Sequence, residues 1–159
     1  MRRFFVLIAA LAASASVLSV ADAQQNRAVS KSRRDAKAVR EVRAVLDAQV
    51  AAWNRGDIDG FMEGYWQSPE TVFVSGDSLT RGWQTVLDRY KKSYDSREKM
   101  GTLSFLEIDI KALGPRTVIA TGRWQLMRVA DTPHGRFTLI FRRTPEGWRI
   151  THDHTSSAT

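Results

Sequence analysis

The sequence predicts an α+β domain in which N-terminal helices pack on one face of a curved antiparallel sheet. Two observations lead to this fold class. Apolar residues recur at helical spacing in the first half of the chain, and four β-rich segments then follow one another without a helix between them. The breaks between these segments hold Gly, Pro, Asp and Thr, and such short connections join antiparallel neighbours.

The N-terminus predicts a secretory signal peptide over residues 1–23. A short basic start is followed by an apolar and small-residue run over residues 4–20, and Ala21-Asp22-Ala23 fits a small-x-small cleavage site. The run is short for a membrane anchor, and we expect no membrane span after its removal. The mature chain is therefore expected to be periplasmic or secreted. It has no cysteine, so packing and not disulfides must hold it together.

Charge and motifs exclude several function classes. The net charge is +7, and much of the excess lies in residues 24–43. Residues 24–34 are polar without periodicity, which predicts a flexible basic linker. An exported protein rarely meets nucleic acid, so no nucleic-acid partner is expected. The sequence also lacks a serine-hydrolase frame, a phosphate-binding glycine loop and a zinc-protease motif.

Three helices are predicted in the first part of a domain that spans residues 35–156. The first begins near Arg34 and ends at Gly56, a residue suited to a left-handed cap. Asp57 can cap a short second helix, and a third begins at Trp83. The amphipathic stripe of the first helix holds Val39, Val42, Val45, Leu46, Gln49, Val50 and Trp53. Residues 93–101 are polar and predict a surface connection.

The strands are predicted at residues 71–74, 102–112, 116–129, 136–143 and 148–155. On the last strand, simple alternation places Trp148, Ile150, His152 and His154 on one face. A face that changes from apolar to titratable is typical of a small-molecule pocket wall. Three interpretations of the histidine pair remain open: general bases, two ligands of a metal ion, or structural hydrogen-bonding groups.

Six short segments carry a resemblance to a known family. They are 52–57 (AWNRGD), 64–66 (GYW), 81–83 (RGW), 121–126 (TGRWQL), 135–139 (GRFTL) and 147–156 (GWRITHDHTS). With the order of elements, they resemble the nuclear transport factor 2-like superfamily and its SnoaL-like group, most of all the branch called domain of unknown function 4440. The resemblance covers about residues 35–156.

The resemblance implies a cone of curved sheet around a long helix, with a deep apolar pocket at its open end and frequent homodimerisation through the sheet. It implies no single reaction, because the fold hosts many chemistries. Ketosteroid isomerase-like members use an Asp base and a Tyr/Asp oxyanion hole. No position of this sequence can be matched to those residues from the sequence alone.

The site prediction combines these observations. His152 or His154 would act as the base, and either Arg123 or Tyr65, at a helix end near the expected pocket mouth, would hold developing negative charge. Trp53, Trp66, Trp83 and Arg123 are the candidate ligand-binding residues. Arg123 would bind a substrate carboxylate or pair with Asp153, or else point to solvent on the outer face of the sheet.

The predicted function is binding of a small apolar or amphipathic organic molecule, with cofactor-free acid/base activity of the isomerase or hydrolase kind. Two alternatives stay open. One is a non-enzymatic association module that acts as a homodimer. The other is a metal-binding protein built on the His-x-His pair.

Overall fold

The computed structural model describes residues 6–158, with side chains described from residue 22 onward. Of the predicted signal peptide, residues 1–5 lie outside the described part of the chain, and residues 6–21 are described in their backbone alone. The first helix, α1, runs Val6–Asn54, so residues 24–34 are helical where the sequence predicts a flexible linker. Within the described part of the chain, no helix has both the length and the apolar character needed to cross a bilayer.

The described residues form four helices and six strands. The helices are α1 (Val6–Asn54), α2 (Ile58–Met62), α3 (Trp83–Ser93) and α4 (Arg97–Met100). The strands are β1 (Val72–Ser75), β2 (Ser78–Arg81), β3 (Thr102–Gly114), β4 (Thr117–Met127), β5 (His134–Thr144) and β6 (Gly147–Thr155). The α+β prediction is confirmed, and the helices pack on one curved, unclosed sheet.

The strand order in the sheet is β2-β1-β6-β5-β4-β3. All neighbours are antiparallel except β1 and β6, which are parallel. Two elements were not predicted. Strand β2 returns beside β1 through a turn at Gly76, whose φ of 57° suits glycine. Helix α4 lies in the predicted surface connection, and the Ser96 side chain caps it by accepting from the Lys99 N–H.

The core lies between α1 and the inner face of the sheet. Val42 and Leu46, from the predicted apolar stripe, are completely buried. The inner face of the sheet supplies Val118, Ala120, Phe141 and Ile150, all likewise buried. Each large apolar side chain buried here contributes roughly 1.5–3 kcal/mol. This packing fixes α1 along the concave side of the sheet.

Polar contacts fix the C-terminal end of α1 at the open end of the sheet. Arg97 donates to the carbonyl oxygens of Trp53 and Asn54, each at 2.9 Å, and so satisfies acceptors that the helix leaves free. The Asn54 side chain also exchanges two hydrogen bonds with the backbone of Leu103 on β3. These contacts hold the helix end and the start of β3 together.

Three register irregularities interrupt the strand pairing, and one of them lies near the end of β3, between Ala112 and Gly114. On β3 the register shifts between Leu106 and Asp109, where Glu107 has a φ of 51°. On β6, Ile150 pairs with Phe141 and His152 pairs with Ile140, so Thr151 is an extra residue without a partner of its own. A bulge bends its strand and increases the local twist. The bulge at Thr151 also decides which residues of β6 face inward.

Candidate functional site

A cavity of about 150 Å³ lies between the helices and the inner face of the sheet. Aromatic and aliphatic side chains form most of its wall. The helical half contributes Trp53, Phe61, Tyr65, Tyr90 and Tyr94. The sheet contributes Phe73, Leu103, Phe105, Trp124, Leu126, Phe137, Leu139 and Ile150. Exposed Ser93 and Ser157 also line the cavity and mark the side on which it opens to solvent.

One carboxyl group is buried in this largely apolar wall. Asp153 is only 3% exposed. The Tyr65 hydroxyl donates to its Oδ2 at 2.6 Å, and the Thr155 hydroxyl donates to its Oδ1 at 2.6 Å. The Tyr90 hydroxyl lies 3.5 Å from that of Tyr65 and extends the network along the wall. The carboxyl group is therefore satisfied on both oxygens and held in one orientation.

Burial sets the charge state of this network. Loss of hydration raises the pKa of Asp153 to about 6, although the hydrogen bonds from Thr155 and Tyr65 and the charges of His154 and Arg89 oppose the rise. Burial and the nearby charge of Asp153 raise the pKa of Tyr65 and of Tyr90 above the ordinary tyrosine value. Near neutral pH the carboxyl group is therefore mostly ionised, and both phenols keep their protons.

Local backbone pairing places Tyr65 opposite Asp153. Ile150 of β6 donates its N–H to the Gly64 carbonyl at 2.9 Å, and its own carbonyl accepts from the Trp66 N–H at 2.9 Å. This pairing joins the segment after α2 to β6 on both sides of Tyr65. Gly64 is required here because a Cβ would lie 2.6 Å from Cδ of the Gln49 side chain.

The bulge at Thr151 makes the predicted facing of the two histidines wrong. Alternation holds for Trp148 and Ile150, which are buried, but the extra residue then reverses it. Asp153 turns inward, while His154 is exposed and His152 is half-buried beside outward-facing Ile140. The Thr151 hydroxyl donates to the Ile140 carbonyl at 3.3 Å across the irregularity.

The histidine pair therefore lies on the sheet face opposite the cavity. To act as the base in this cavity, His152 or His154 would need an inward-facing imidazole. The strand register turns both side chains to the outer face instead. Among the residues with described side chains, no three His, Cys, Asp or Glu residues come together as a metal would require. The metal-binding interpretation thus has no ligand set in this part of the chain.

The predicted tryptophans have different positions. Trp53 is buried and lines the cavity, and its indole N–H donates to the Met100 carbonyl at 3.1 Å. Trp83 is half-buried outside the cavity wall, where its indole donates to the Met62 carbonyl at 3.1 Å. Trp66 is also half-buried, and its carbonyl accepts from the Thr71 hydroxyl at 2.6 Å. Of the three, Trp53 alone contributes to the cavity wall.

Arg123 lies on the outer face of the sheet. Its neighbours along β4, Gly122 and Trp124, face inward, and its own guanidinium lies 4.0 Å from the Glu107 carboxylate. Glu107 is bound more closely by Arg136, at 2.7 Å. The outward alternative for Arg123 is therefore the one that the structure supports, and Arg123 reaches neither Asp153 nor the cavity.

Sequence reasoning did not select Asp153, Thr155 or Arg89 as the polar residues of the cavity. Asp153 and Thr155 follow the bulge, which simple alternation cannot reveal. Arg89 precedes Tyr90 on α3, and a charged residue on an amphipathic helix is normally assigned to solvent. One sequence feature could have indicated Asp153. It is the only carboxylate on the last strand, and it lies between His152 and His154 after the apolar residues Trp148 and Ile150.

Comparison with known proteins agrees with this architecture. The SnoaL-like domain model matches residues 42–159. A nuclear transport factor 2-like protein of unknown function from Shewanella oneidensis MR-1 is 41% identical with a TM-score of 0.70, and the match covers 73% of this chain and 96% of that chain. No curated protein matches the sequence.

Two more distant structures share the fold. A protein of the DUF3225 family from Pectobacterium atrosepticum SCRI1043 is 21% identical, with a TM-score of 0.63 and coverage of 78% of this chain and 93% of that chain. An uncharacterized protein with a cystatin-like fold from Caulobacter vibrioides is 18% identical, with a TM-score of 0.64 and coverage of 77% and 91%. The chain belongs to the SnoaL-like family of the nuclear transport factor 2-like superfamily. Its assignment to the domain of unknown function 4440 branch stays a prediction.

Proposed function

We propose that this protein binds one small organic molecule in the cavity and moves a proton on it, with Asp153 as the proton acceptor. The observation that carries the proposal is the buried carboxyl group of Asp153, held by Tyr65 and Thr155 in a largely apolar wall. A titratable group with an environment of this kind in a ligand-sized cavity is a candidate general base. The proposed step requires no cofactor.

The charge state of Asp153 suits this role. A pKa of about 6 leaves the carboxyl group roughly nine-tenths ionised at pH 7. It is a stronger base than an ordinary aspartate, and general bases work best when their pKa lies near the working pH. Because both carboxylate oxygens already accept a hydrogen bond, the group is oriented before the ligand arrives.

The tyrosines have separate roles in this proposal. Tyr65 holds the Asp153 carboxylate and is a positioning residue. The Tyr90 hydroxyl lines the cavity and keeps its proton near neutral pH, because burial raises its pKa. It can therefore donate to a ligand oxygen on which negative charge develops after proton removal.

The cavity volume limits the ligand. A space of about 150 Å³ compares with the engineered apolar cavity of similar size that accepts benzene. The proposed ligand is thus a single ring or a short branched chain. Its apolar part would contact Phe105, Trp124 and Phe137, and its acidic C–H bond would point toward Asp153.

The test is hydrogen exchange at carbon. A set of small carbonyl compounds is first screened for an increase in melting temperature of the protein. Those that bind are incubated with protein in D₂O, and loss of the C–H signal is followed by NMR. Proton transfer to Asp153, exchange with solvent and return of deuterium should produce a labelled ligand.

Substitution assigns the exchange to its base. Asp153→Asn should slow exchange by about 100-fold or more, which is the usual contribution of a general base. Asp77→Asn, a change of the same kind at an exposed turn, should leave it unchanged. Exchange in the Asp153→Asn variant at the wild-type rate would contradict the proposal.

The periplasmic or secreted location and the homodimer remain proposals.

The homodimer has a candidate surface. The helices cover one face of the sheet, and on the other face Ile119 lies opposite Ile140 across β4 and β5. We propose this uncovered face as the dimer surface. Light scattering of the purified chain tests it, since a monomer at micromolar concentration would contradict both the homodimer and the association-module alternative.

A further inference from the structure

Two charged residues, Arg89 and Asp153, line the cavity, and the proposed proton transfer gives no role to Arg89. Its guanidinium stacks over the Phe73 ring, 4.6 Å from the ring centroid. Its Nη1 is buried and has no hydrogen-bond partner among the described residues. Leaving such a donor unpaired costs about 1–3 kcal/mol, and more for a charged group. Because Arg89 lines the cavity, its unpaired Nη1 indicates a ligand that accepts a hydrogen bond from it.

Asp153 does not supply the missing partner. The two residues are neighbours, because Phe73 lies under the Arg89 guanidinium and is also the register partner of Asp153. Even so, no ion pair joins Arg89 to any acid among the described residues, and both Asp153 oxygens accept from hydroxyl groups instead. The guanidinium of Arg89 and the carboxyl group of Asp153 therefore both line the cavity but do not form an ion pair with each other.

We infer that the ligand is a small organic monocarboxylate whose carboxylate pairs with Nη1 of Arg89. Arginine presents planar donors that match a carboxylate, and such charge-assisted hydrogen bonds are stronger than neutral ones. The exposed Ser93 hydroxyl, one turn further along α3, lines the same cavity and can add a second donor. This inference rests on the proposed ligand-binding function and specifies the chemical class of its ligand.

A single negative charge fits better than two. One guanidinium can neutralise one charge, and a second charge buried in this largely apolar wall would stay uncompensated. The rest of the ligand must be apolar and compact, because aromatic rings surround the remaining space. An aromatic or branched aliphatic acid meets both conditions, whereas a phosphate ester carries too much charge.

A carboxylate bound at Arg89 should also favour the protonated form of Asp153, because like charges repel at short range. Tyr65, Tyr90 and exposed His154 are the other titratable groups that act on this carboxyl group. Anion affinity should therefore rise as the pH falls from 8 to 6. A neutral ligand of the same shape should show a smaller dependence.

The experiment compares benzoate, benzamide and benzylamine, which share one ring but differ in charge. Binding to the full chain is measured by NMR titration at pH 8 and pH 6. Benzoate should bind at least about tenfold tighter than benzamide, which corresponds to 1.4 kcal/mol. Arg89→Met should reduce this preference to less than about twofold, and Arg89→Lys should retain part of it.

Lys92→Met is the matched control, since it removes the same charge from an exposed position on the same helix and should keep the preference. Should Arg89→Met fail to fold, the pH dependence of benzoate affinity in the wild type and in Asp153→Asn provides the second readout. The dependence should be present in the first and absent in the second.

The outcomes separate the two proposals. If benzamide or benzylamine binds as tightly as benzoate, ligand binding stands but the carboxylate inference is wrong. The inference is also wrong if Arg89→Met keeps the benzoate preference. If none of the three compounds binds at about 1 mM, the carboxylate inference fails, whereas the proposed ligand-binding function fails only if the screen of small carbonyl compounds also finds no ligand.

Discussion

Replacing Asp153 with asparagine removes one buried carboxyl group and preserves its shape. In the wild type, the carboxyl oxygens accept from Tyr65 and Thr155. The asparagine oxygen can still accept from Tyr65, and its amide can donate to the Thr155 hydroxyl. The substitution therefore isolates the charge of residue 153 from its packing.

The size of the effect follows from the pKa. Burial raises the pKa of Asp153 from the ordinary value of 3.8 to about 6. Each pH unit of this difference corresponds to about 1.4 kcal/mol, so the folded state disfavours the ionised carboxyl group by about 3 kcal/mol. The unfolded chain, in which water hydrates the carboxylate, has no such penalty.

The sign follows from proton binding. Between about pH 4 and pH 6 the folded protein keeps a proton that the unfolded chain releases, so this group destabilises the fold increasingly as the pH rises. The stability that the fold has while Asp153 is protonated is therefore fully present below about pH 4 and is lost as the pH rises through about 6. The Asp153→Asn variant lacks this dependence. Its free energy of unfolding relative to the wild type should rise by about 2.5 kcal/mol between pH 4 and pH 7.5.

Urea denaturation at a series of pH values measures this difference directly. The comparison with wild type cancels the titration of the other groups. Asp77→Asn, at an exposed turn, controls for loss of one carboxylate and should change stability by no more than about 0.5 kcal/mol. A difference between Asp153→Asn and the wild type that stays constant with pH would show that burial does not raise the pKa of Asp153.

Other substitutions test the core and the site. Leu46→Ala, at a completely buried position, should lower the free energy of unfolding by about 2–5 kcal/mol in urea denaturation. Gly122→Ala would place a methyl group 2.4 Å from Cζ of Phe137, so we expect a loss of about 1–3 kcal/mol and weaker benzoate binding by NMR titration. Replacing His152 and His154 together by Ala should leave benzoate affinity within about twofold, and a larger loss would show that the outer face takes part in binding.

Regular periodicity in the sequence predicted the framework correctly. The apolar stripe of α1 placed Val42 and Leu46 in the core, and the run of β-rich segments without intervening helices placed the strands of the sheet. These elements follow the ideal repeat of a helix or strand over many residues. A local pattern is sufficient to predict such elements because each turn of a helix, or each pair of strand residues, presents its apolar side chain to the same face.

The polar site could not be predicted in the same way because irregular and long-range features build it. One extra residue, Thr151, reverses which side chains of β6 face the cavity. Thr151 is extra only in relation to the pairing of β6 with its partner strand β5. Tyr65 reaches Asp153 because the backbone after α2 pairs with Ile150, far away in sequence. Arg89 lies over Phe73 through packing of α3 on β1. Each contact depends on tertiary structure that no local window contains.

The proposed function depends on a carboxyl group, buried at the ligand cavity, that titrates near neutral pH. The most direct measurement is a ¹³C NMR titration of the Asp153 carboxyl carbon, assigned by comparison with Asp153→Asn. We expect a midpoint at about pH 6, which should move upward when benzoate is bound. A midpoint near the ordinary 3.8, unchanged by benzoate, would contradict it.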